Sequence, residues 1–201
     1  RSILTLTFTN KAASQMRERA FSMLDSSMIN TPPLLCTFHK FGLLFLKFHM
    51  SELNRKNNFI IIDTDDKKRI IKSIDKEITT SLLAAEISKY KNSLLTPSEA
   101  KSAAQLKLYL QIAEIYEKYE AYLEKNNLVD FDDLLLLPYR ILSKNEKLAN
   151  EISQKYQYIM VDEYQDTNEL QYRLLRLLCS SHNNLCVVGD DDQSIYGWRG
   201  A

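Results

Sequence analysis

Two short apolar runs near the carboxyl end of the chain place the strongest constraint on its fold. Tyr158–Val161 is followed at once by the acidic pair Asp162–Glu163, and Leu185–Val188 is followed by Gly189–Asp190. Short apolar runs bounded by polar residues predict buried strands. In open α/β sheets, ligands bind outside the carboxyl ends of the strands. Two polar clusters at two such ends therefore predict a ligand site.

The first fifty residues predict the same alternation of strand and helix. Strands are predicted over residues 2–8 and 34–37, and helices over residues 11–24 and 38–49. The first run alternates and is rich in β-forming residues, and the second helical run carries apolar side chains at helical spacing. This β-α-β-α order is typical of a parallel sheet covered by helices.

The middle of the chain predicts a helical insertion. After a short strand-like piece over residues 59–62, residues 64–127 contain three or four helical stretches and no convincing strand. Asp63 supplies an N-cap for a helix that runs through Ile78. Residues 105–126 are strongly amphipathic with the helical period. The predicted organisation is an all-helical domain inserted into an α/β sheet.

The composition is that of an ordinary globular protein. Of 201 residues, 45% are hydrophobic and 26% are charged, and the formal net charge is zero. No apolar run approaches the roughly 18 to 20 residues needed to cross a bilayer, so no membrane partner is expected. Cys36, Cys179 and Cys186 form no CxxC pair, which favours reduced thiols in a cytoplasmic protein.

Charge is distributed unevenly along the chain. Residues 1–50 carry six basic and two acidic side chains, whereas residues 160–201 carry seven acidic and three basic ones. A basic face and an acidic cluster in one chain fit a polyanionic partner and a metal site. Surface charge without a function is the alternative that the counts leave open.

The pair Asp162–Glu163 at a strand end has the Walker B arrangement. The first acid can hold Mg²⁺ through a carboxylate oxygen or a bound water. Its neighbour can activate the water that attacks a γ-phosphate. Two adjacent acids are common in proteins, but this pair lies at a strand end and is followed by Tyr164–Asn168 and a helix. That context makes the pattern specific.

The second cluster offers groups for a phosphate and for nucleic-acid bases. The amide of Gln193 can both donate and accept hydrogen bonds, which suits it to sensing a γ-phosphate. Tyr196, Trp198 and Arg199 add two aromatic faces and a guanidinium within four residues. Bases stack on such faces with about 1–3 kcal/mol each and without sequence preference. Packing in a core is the alternative for the two aromatic side chains.

Five blocks of the chain resemble motifs of one helicase family. In chain order they are Thr7–Ala13, Thr37–His39, Val129–Leu134, Val161–Asp166 and Val188–Ala201. They resemble motif Ia, motif Ib, a segment before motif II, motif II and motif III of superfamily 1A DNA helicases of the UvrD/Rep/PcrA family. The resemblance implies an α/β fold. It is the incomplete parallel sheet of a RecA-like P-loop NTPase with an all-helical insertion domain.

The same resemblance implies three segments in the chain. Residues 1–51 would be the first part of RecA-like domain 1A, which carries motifs Ia and Ib. Residues 52–128 would be the helical insertion, domain 1B. Residues 129–201 would be the second part of domain 1A, which carries motifs II and III.

Roles for individual residues follow from the matched motifs. Asp162 would bind Mg²⁺ and contribute to ATP binding, Glu163 would be the catalytic base, and Gln193 would contact the γ-phosphate and couple hydrolysis to DNA. A second set would contact nucleic acid, with some members lining a single-strand track and others touching the DNA backbone. The set comprises Phe8, Thr9, Asn10, Thr37, His39, Tyr196, Trp198 and Arg199.

The resemblance also implies a larger enzyme. It would be an ATP- and Mg²⁺-dependent DNA helicase that moves 3′ to 5′ on single-stranded DNA and opens single-strand/duplex junctions. The chain lacks an initiating Met and a G-x-x-x-x-G-K-[ST] phosphate loop, since none of its four glycines is followed by Lys. We therefore expect an internal fragment that is inactive alone and that needs a second RecA-like domain. The alternatives are the helicase portion of a helicase-nuclease and a DNA-binding module without turnover.

Two further groups in the predicted insertion have open interpretations. Lys67, Lys68, Arg69 and Lys72 form a basic helix face that could contact duplex DNA. Asp130, Asp132 and Asp133 could form a metal cluster, although helix N-capping and orientation of the junction between domains 1A and 1B are favoured.

The aromatic pair of the second cluster gives a first testable prediction. In the full-length protein, Trp198→Ala should weaken the affinity for single-stranded DNA by about 1–3 kcal/mol, because one stacking face is lost. Fluorescence anisotropy with a labelled oligonucleotide measures this loss. An unchanged binding curve would assign Trp198 to the core.

Overall fold

The computed structural model describes residues 2–24 and 32–193. The predicted nucleic-acid residues Tyr196, Trp198 and Arg199 lie outside the described residues, so their roles stay predictions. None of the described helices combines the length and apolar character that crossing a membrane would require.

The described chain contains strands, α-helices and short 3₁₀ turns in a regular order. The strands are β1 (Ile3–Thr7), β2 (Leu34–Thr37), β3 (Ile60–Ile61), β4 (Leu128–Val129), β5 (Tyr158–Val161) and β6 (Leu185–Val187). The helices are α1 (Asn10–Met23), α2 (Phe38–His49), α3 (Thr64–Ile74), α4 (Thr80–Asn92), α5 (Pro97–Ala103), α6 (Lys107–Lys125), α7 (Asp133–Lys144), α8 (Glu146–Lys155) and α9 (Glu169–Leu178). The 3₁₀ turns are Met50–Leu53, Tyr164–Asp166 and Asp191–Gln193.

Packing divides the chain into two compact units. The sheet unit comprises Arg1–Phe45 and Pro138–Ala201, and the helical unit comprises Leu46–Leu137. These divisions fall within α2 and α7, whereas the segments expected from the sequence meet at 51/52 and 128/129. The assignment of those segments as domains 1A and 1B stays a prediction.

The sheet unit is built on four parallel strands in the order β2-β1-β5-β6. Leu4 and Leu6 of β1 and Ile159 and Val161 of β5 are buried. Because every pair of neighbours is parallel, all four carboxyl ends lie at one edge of the sheet. The predicted α/β class with a parallel sheet is confirmed.

Side-chain caps fix where helices of the sheet unit begin. The Thr9 hydroxyl oxygen accepts a hydrogen bond from the Ala12 N–H (3.1 Å), which caps α1. Asn168 and Gln171 form a reciprocal capping box at the start of α9. Such caps satisfy N–H groups that have no partner inside the helix, at about 1 kcal/mol each. The first helix therefore starts at Asn10, one residue before the predicted start.

The helical unit contains the four helices α3 to α6, as the pattern over residues 64–127 predicts. The helix predicted to run through Ile78 ends earlier, at Ile74. The reason is local, because the Asp75 carboxylate accepts hydrogen bonds from the N–H groups of Glu77 (3.0 Å) and Ile78 (2.8 Å). A side chain that binds its own backbone in this way favours a turn over continued helix.

A two-stranded parallel sheet in the helical unit was missed by the sequence analysis. Ile60 pairs with Leu128 and Ile61 pairs with Val129. Strands of two residues give no periodic signal, so the pairing of β3 with β4 depends on contacts distant in sequence. The predicted strand-like piece over residues 59–62 is confirmed, but its partner was not foreseen.

One continuous apolar core supports the helical unit. Its largest fully buried side chains include Tyr116 and Tyr119 of α6, and the Tyr116 hydroxyl donates a hydrogen bond to the Leu95 carbonyl oxygen (3.2 Å). The buried members of the core are Ile62, Ile71, Leu83, Ile87, Tyr90, Ala100, Ile112, Ala113, Ile115, Tyr116, Tyr119 and Leu123. The core draws on each of the four helices.

A network of buried charges, the ion cluster, centres on Lys91 of α4, whose side chain is 0% exposed. Its Nζ lies 2.7 Å from Glu120 Oε1, 2.8 Å from Asp133 Oδ1 and 3.0 Å from Asp130 Oδ2. An ammonium group has three donors, so three carboxylates can satisfy it. Burial alone lowers the pKa of Lys91, but attraction to the three carboxylates outweighs burial and holds that pKa well above its usual value.

Lys67 of α3 is the second cation of the ion cluster. Its Nζ lies 2.9 Å from Asp132 Oδ2 and 3.3 Å from Asp130 Oδ2, and the residue is only 7% exposed. The interpretation of Lys67 as part of an exposed basic face is therefore wrong. The other three members of that face are exposed, as predicted. Lys67 is buried because it pairs with Asp130 and Asp132, which are distant in the sequence.

The acidic members of the ion cluster also begin α7. The Asp133 N–H donates to Asp130 Oδ1 (2.9 Å), which confirms the predicted capping role of Asp130. The three carboxylates are engaged by Lys67 and Lys91, so these residues are not arranged around a metal ion. Burial and the charge of Asp130 raise the pKa of Asp133 to about 7. Against the effect of burial, the two lysines lower the pKa of Asp130.

Removing the central cation should destabilise the protein strongly. Lys91→Met keeps the length of the side chain but leaves Glu120 and Asp133 without their cation and Asp130 with Lys67 alone, which should cost about 3–5 kcal/mol. Thermal unfolding followed by circular dichroism measures the change. Lys89→Met is the matched control, because Lys89 lies on the same helix with its side chain 70% exposed. Equal unfolding temperatures for the two variants would contradict the importance of the cluster.

Candidate active site at the carboxyl edge of the sheet

Backbone hydrogen bonds continue beyond the ends of the strands and fix the polar loops. The Asp162 N–H donates to the Leu6 carbonyl oxygen (3.0 Å), and the Val188 N–H donates to the Val161 carbonyl oxygen (2.8 Å). The Tyr164 N–H donates back to the Val188 carbonyl oxygen (2.9 Å). The loops after β5 and β6 are thus tied to each other, and the two predicted clusters meet at one site.

Asp162 is the first residue beyond β5, and its side chain is half-buried. Within residues 2–24 and 32–193, no group donates a hydrogen bond to its carboxylate. The described residues also contain no group of three His, Cys, Asp or Glu side chains that could hold a metal ion. Mg²⁺ commonly uses one or two carboxylates together with waters and substrate phosphates. A single free carboxylate at the sheet edge fits that mode of binding.

Glu163 adopts an uncommon backbone conformation, with φ 56° and ψ 44°. This left-handed region costs a residue with a Cβ about 1–3 kcal/mol, and such strain is concentrated at functional sites. The turn that follows holds the conformation, since the Asp166 N–H donates to the Glu163 carbonyl oxygen (2.9 Å). The backbone thus changes direction at the predicted catalytic residue.

The Glu163 carboxylate is held by a neighbouring amide. Gln165 Nε2 donates a hydrogen bond to Glu163 Oε2 at 2.6 Å. Gln165 Oε1 in turn accepts a hydrogen bond from the Asp190 N–H at 3.0 Å. One half-buried amide therefore joins the predicted base after β5 to the loop after β6.

Gly189 provides the space that Gln165 occupies. A Cβ at this position would lie 2.7 Å from Gln165 Oε1, 3.2 Å from the Gln165 nitrogen and 3.3 Å from the Tyr164 nitrogen. The first distance is far below ordinary contact, and the other two involve backbone atoms that move little. The need for glycine here is therefore steric, since a side chain would displace the bridging amide.

Gln193, the predicted γ-phosphate sensor, lies in the 3₁₀ turn Asp191–Gln193, and its side chain is exposed. Its Nε2 donates to Asp190 Oδ2 (2.7 Å), and its N–H donates to the Asp190 carbonyl oxygen (3.0 Å). Asp190 therefore binds Gln193 through its carboxylate and Gln165 through its N–H. Contact with a γ-phosphate stays a prediction.

Three buried polar atoms lie in or beside the matched motifs without a hydrogen-bond partner among the described residues. They are Thr7 Oγ1, Asp166 Oδ1 and Thr167 Oγ1. Burial and the charge of Glu163 raise the pKa of Asp166. Buried polar groups normally have a hydrogen-bond partner, so a water or a ligand could satisfy each of these atoms. Thr7 and Asp166 lie within matched motifs and Thr167 directly follows one, but no residue pattern predicts a role for their buried oxygens.

The predicted nucleic-acid residues after β1 have clear local contacts. Phe8 is half-buried, and its ring centroid lies 5.4 Å from that of Phe38. The Thr9 side chain caps α1, as described above, and Asn10 is exposed at the first turn of that helix. Contact of the three with DNA stays a prediction; Thr9 and Asn10 are exposed, and Phe8 is half-buried.

The predicted DNA-backbone-contacting residues at the end of β2 and the start of α2 differ in exposure. Thr37 is 7% exposed, and its Oγ1 accepts a hydrogen bond from the Lys40 N–H (3.1 Å). The Thr37 side chain thus fixes the start of α2. His39, on the first turn of that helix, is half-buried. Both residues lie at the same edge of the sheet as the carboxylates, because β1 and β2 are parallel.

The four parallel strands flanked by helices, with Asp162 and Glu163 directly after β5, define an open α/β fold whose ligands bind at the carboxyl edge of the sheet. Comparison with known proteins makes the assignment specific. All 201 residues match the family described as the UvrD/REP helicase N-terminal domain. The chain belongs to the UvrD/Rep helicase family, and the predicted resemblance is confirmed.

Named relatives agree with that family. A probable DNA helicase II homolog of Mycoplasma capricolum is 41% identical over 99% of this chain and 29% of its own length. The ATP-dependent DNA helicase Rep of Escherichia coli K12 is 41% identical over all of the chain and 31% of its own length. The ATP-dependent DNA helicase PcrA of Staphylococcus aureus Mu50 is 38% identical over all of the chain and 28% of its own length. The chain thus spans less than a third of these relatives.

Proposed function

We propose that this chain supplies the metal-binding and water-activating carboxylates of an ATP-dependent DNA helicase. The observation that carries the proposal is the pair Asp162–Glu163 at the carboxyl end of β5, in which one carboxylate is free and the other is oriented by Gln165. The names of the relatives, ATP-dependent DNA helicases Rep and PcrA, support the same reaction.

In this proposal Asp162 holds Mg²⁺ beside the phosphates of ATP. When bound, the ion supplies positive charge that stabilises the phosphate oxygens during transfer. Asp162 suits this role because its carboxylate is not engaged by any described donor and because the residue lies directly after β5, at the sheet edge where ligands bind.

Glu163 acts as the general base. Its carboxylate accepts a proton from the water whose oxygen attacks the γ-phosphorus, and the bond from that phosphorus to the bridging oxygen of ADP breaks. The fixed position of the carboxylate, 2.6 Å from the Gln165 amide, supports this role. Gln193 lies on the adjoining loop and contacts the γ-phosphate in the proposal.

The partner of the proposed motor is DNA, in single strands and at single-strand/duplex junctions. Asn10 and His39 lie at the carboxylate edge of the sheet, where a strand of DNA would pass close to the ATPase site. Movement from 3′ to 5′ and a second RecA-like domain follow from the family resemblance. The segment 52–128 is proposed as domain 1B, which grips the duplex.

The decisive measurement compares the ATPase activity of the full-length protein with that of a Glu163→Gln variant, each with and without single-stranded DNA. We expect DNA to stimulate the wild type and the substitution to lower kcat about 10²–10⁴-fold while ATP still binds, because only proton transfer is lost. Glu151→Gln is the control, since Glu151 is exposed on α8. Unchanged turnover in Glu163→Gln would remove Glu163 as the base. DNA binding without turnover in the wild type would indicate a DNA-binding module.

The 201-residue chain alone should not hydrolyse ATP. Its sequence contains no phosphate loop, so the α- and β-phosphates have no cradle of backbone N–H groups. Phosphate release by the purified chain, measured with ATP and Mg²⁺, should stay at the background of a Glu163→Gln preparation. Turnover that depends on Glu163 would show that the chain completes the site by other residues.

A further inference from the structure

We propose that Gln165 is a positioning residue that orients Glu163 and connects it mechanically to the loop that carries Gln193. The inference rests on the proposed function of Glu163 and extends it to a residue that does not touch the substrate. The Gln165 amide lies between Glu163 of the first acidic cluster and Asp190 of the second.

The geometry requires one group that donates and accepts at the same time. Gln165 Nε2 donates to Glu163 Oε2 at 2.6 Å, while Gln165 Oε1 accepts from the Asp190 N–H at 3.0 Å. A primary amide has both functions at adjacent atoms. An ionised Glu at this position could not donate to Glu163, and Asn would be one methylene shorter.

The bridge belongs to a longer chain of hydrogen bonds. Gln193 Nε2 donates to the Asp190 carboxylate, the Asp190 N–H donates to Gln165, and Gln165 donates to Glu163. A displacement of Gln193 by a phosphate is therefore transmitted through two residues to the base. These hydrogen bonds join the loop after β5 to the loop after β6. Gln165 and Asp190, which meet there, are 25 residues apart in the sequence.

The position of the Gln165 amide depends on the glycine beside it. The absent side chain of Gly189 gives the amide its place, since a Cβ there would approach Gln165 Oε1 to 2.7 Å. Glu163 itself has a backbone that is already turned into the left-handed region. Its side chain therefore depends on Gln165 for a defined direction, and a misplacement of about 1 Å at a reacting group can cost about 10²-fold in rate.

The test is steady-state ATPase kinetics of the full-length protein carrying Gln165→Met, with single-stranded DNA present. Met has nearly the volume of Gln but neither hydrogen-bonding group. We expect kcat to fall about 10²-fold, with KM for ATP and the affinity for a non-hydrolysable ATP analogue within about twofold of wild type. Gln154→Met, on the exposed face of α8, is the control and should leave all three values unchanged.

A double variant separates positioning from a general structural role. Gln165 acts through Glu163 in this proposal. Adding Gln165→Met to Glu163→Gln should therefore not lower the single-turnover rate constant of ATP hydrolysis any further. An additional loss of similar size in the double variant would overturn the proposal. So would an unchanged kcat in Gln165→Met, or a raised KM with normal kcat, which would make Gln165 a nucleotide-binding residue.

A second substitution guards against failure of the first to fold, which circular dichroism and DNA affinity would reveal. Gln165→Glu keeps size and polarity, and it should lower kcat as Gln165→Met does; wild-type kcat in Gln165→Glu would overturn the proposal.

The wild type and Glu163→Gln, measured in parallel, show whether the proposed function or the further inference fails. Absence of turnover in the wild type, or no effect of Glu163→Gln, refutes the proposed function and with it the inference. Loss of turnover in Glu163→Gln together with normal kcat in Gln165→Met refutes the inference alone.

Discussion

Parallel pairing of β5 with β1 on one side and β6 on the other is the constraint on which the candidate site depends. In a parallel ladder every strand enters from the same side, so the residues that follow each strand meet at one edge. Here the hydrogen-bonded ladder also continues past the strands. The Asp162 N–H donates to the Leu6 carbonyl oxygen, and the Tyr164 N–H donates to the Val188 carbonyl oxygen. These bonds hold the two loops in a fixed register. The Gln165 side chain and the Asp190 backbone N–H, 25 residues apart, then meet within hydrogen-bonding distance.

The helical unit solves a different problem, because it buries charge rather than exposing it. Two ammonium groups face four carboxylates in the ion cluster, and each buried ion carries a desolvation penalty of several kcal/mol. Mutual attraction and good geometry offset that penalty only when every partner is present. The cluster holds more carboxylates than cations. Burial and the negative charge of Asp130 therefore raise the pKa of Asp133 despite the nearby Lys91. A network of this kind specifies one arrangement of α3, α4, α6 and the start of α7.

The sequence predicted features whose signals are local, and it failed where contacts between distant residues decide. Short apolar strands ending in Asp162–Glu163 and Gly189–Asp190 were visible as runs of residue types, so the parallel sheet and its acidic edge were predictable. The inward turn of Lys67 was not, because it depends on carboxylates 63 to 65 positions later. Gln165 lies within the matched block Val161–Asp166, yet its two hydrogen bonds require the loop after β6 to lie beside it. No pattern of residue spacing in the sequence predicts the contact between Gln165 and Asp190.

The left-handed backbone at Glu163 has a consequence for how such a chain can be improved. Glycine would relax this position, and asparagine is tolerated there better than most residues, so either could make the folded protein more stable. Neither carries a carboxylate that can take a proton from water. In the proposed role of Glu163 as the general base, the chemistry of its carboxylate outweighs the cost of this backbone conformation to folding. A search for thermostable variants that selects only for folding should drift toward glycine here, and so toward well-folded but inactive proteins.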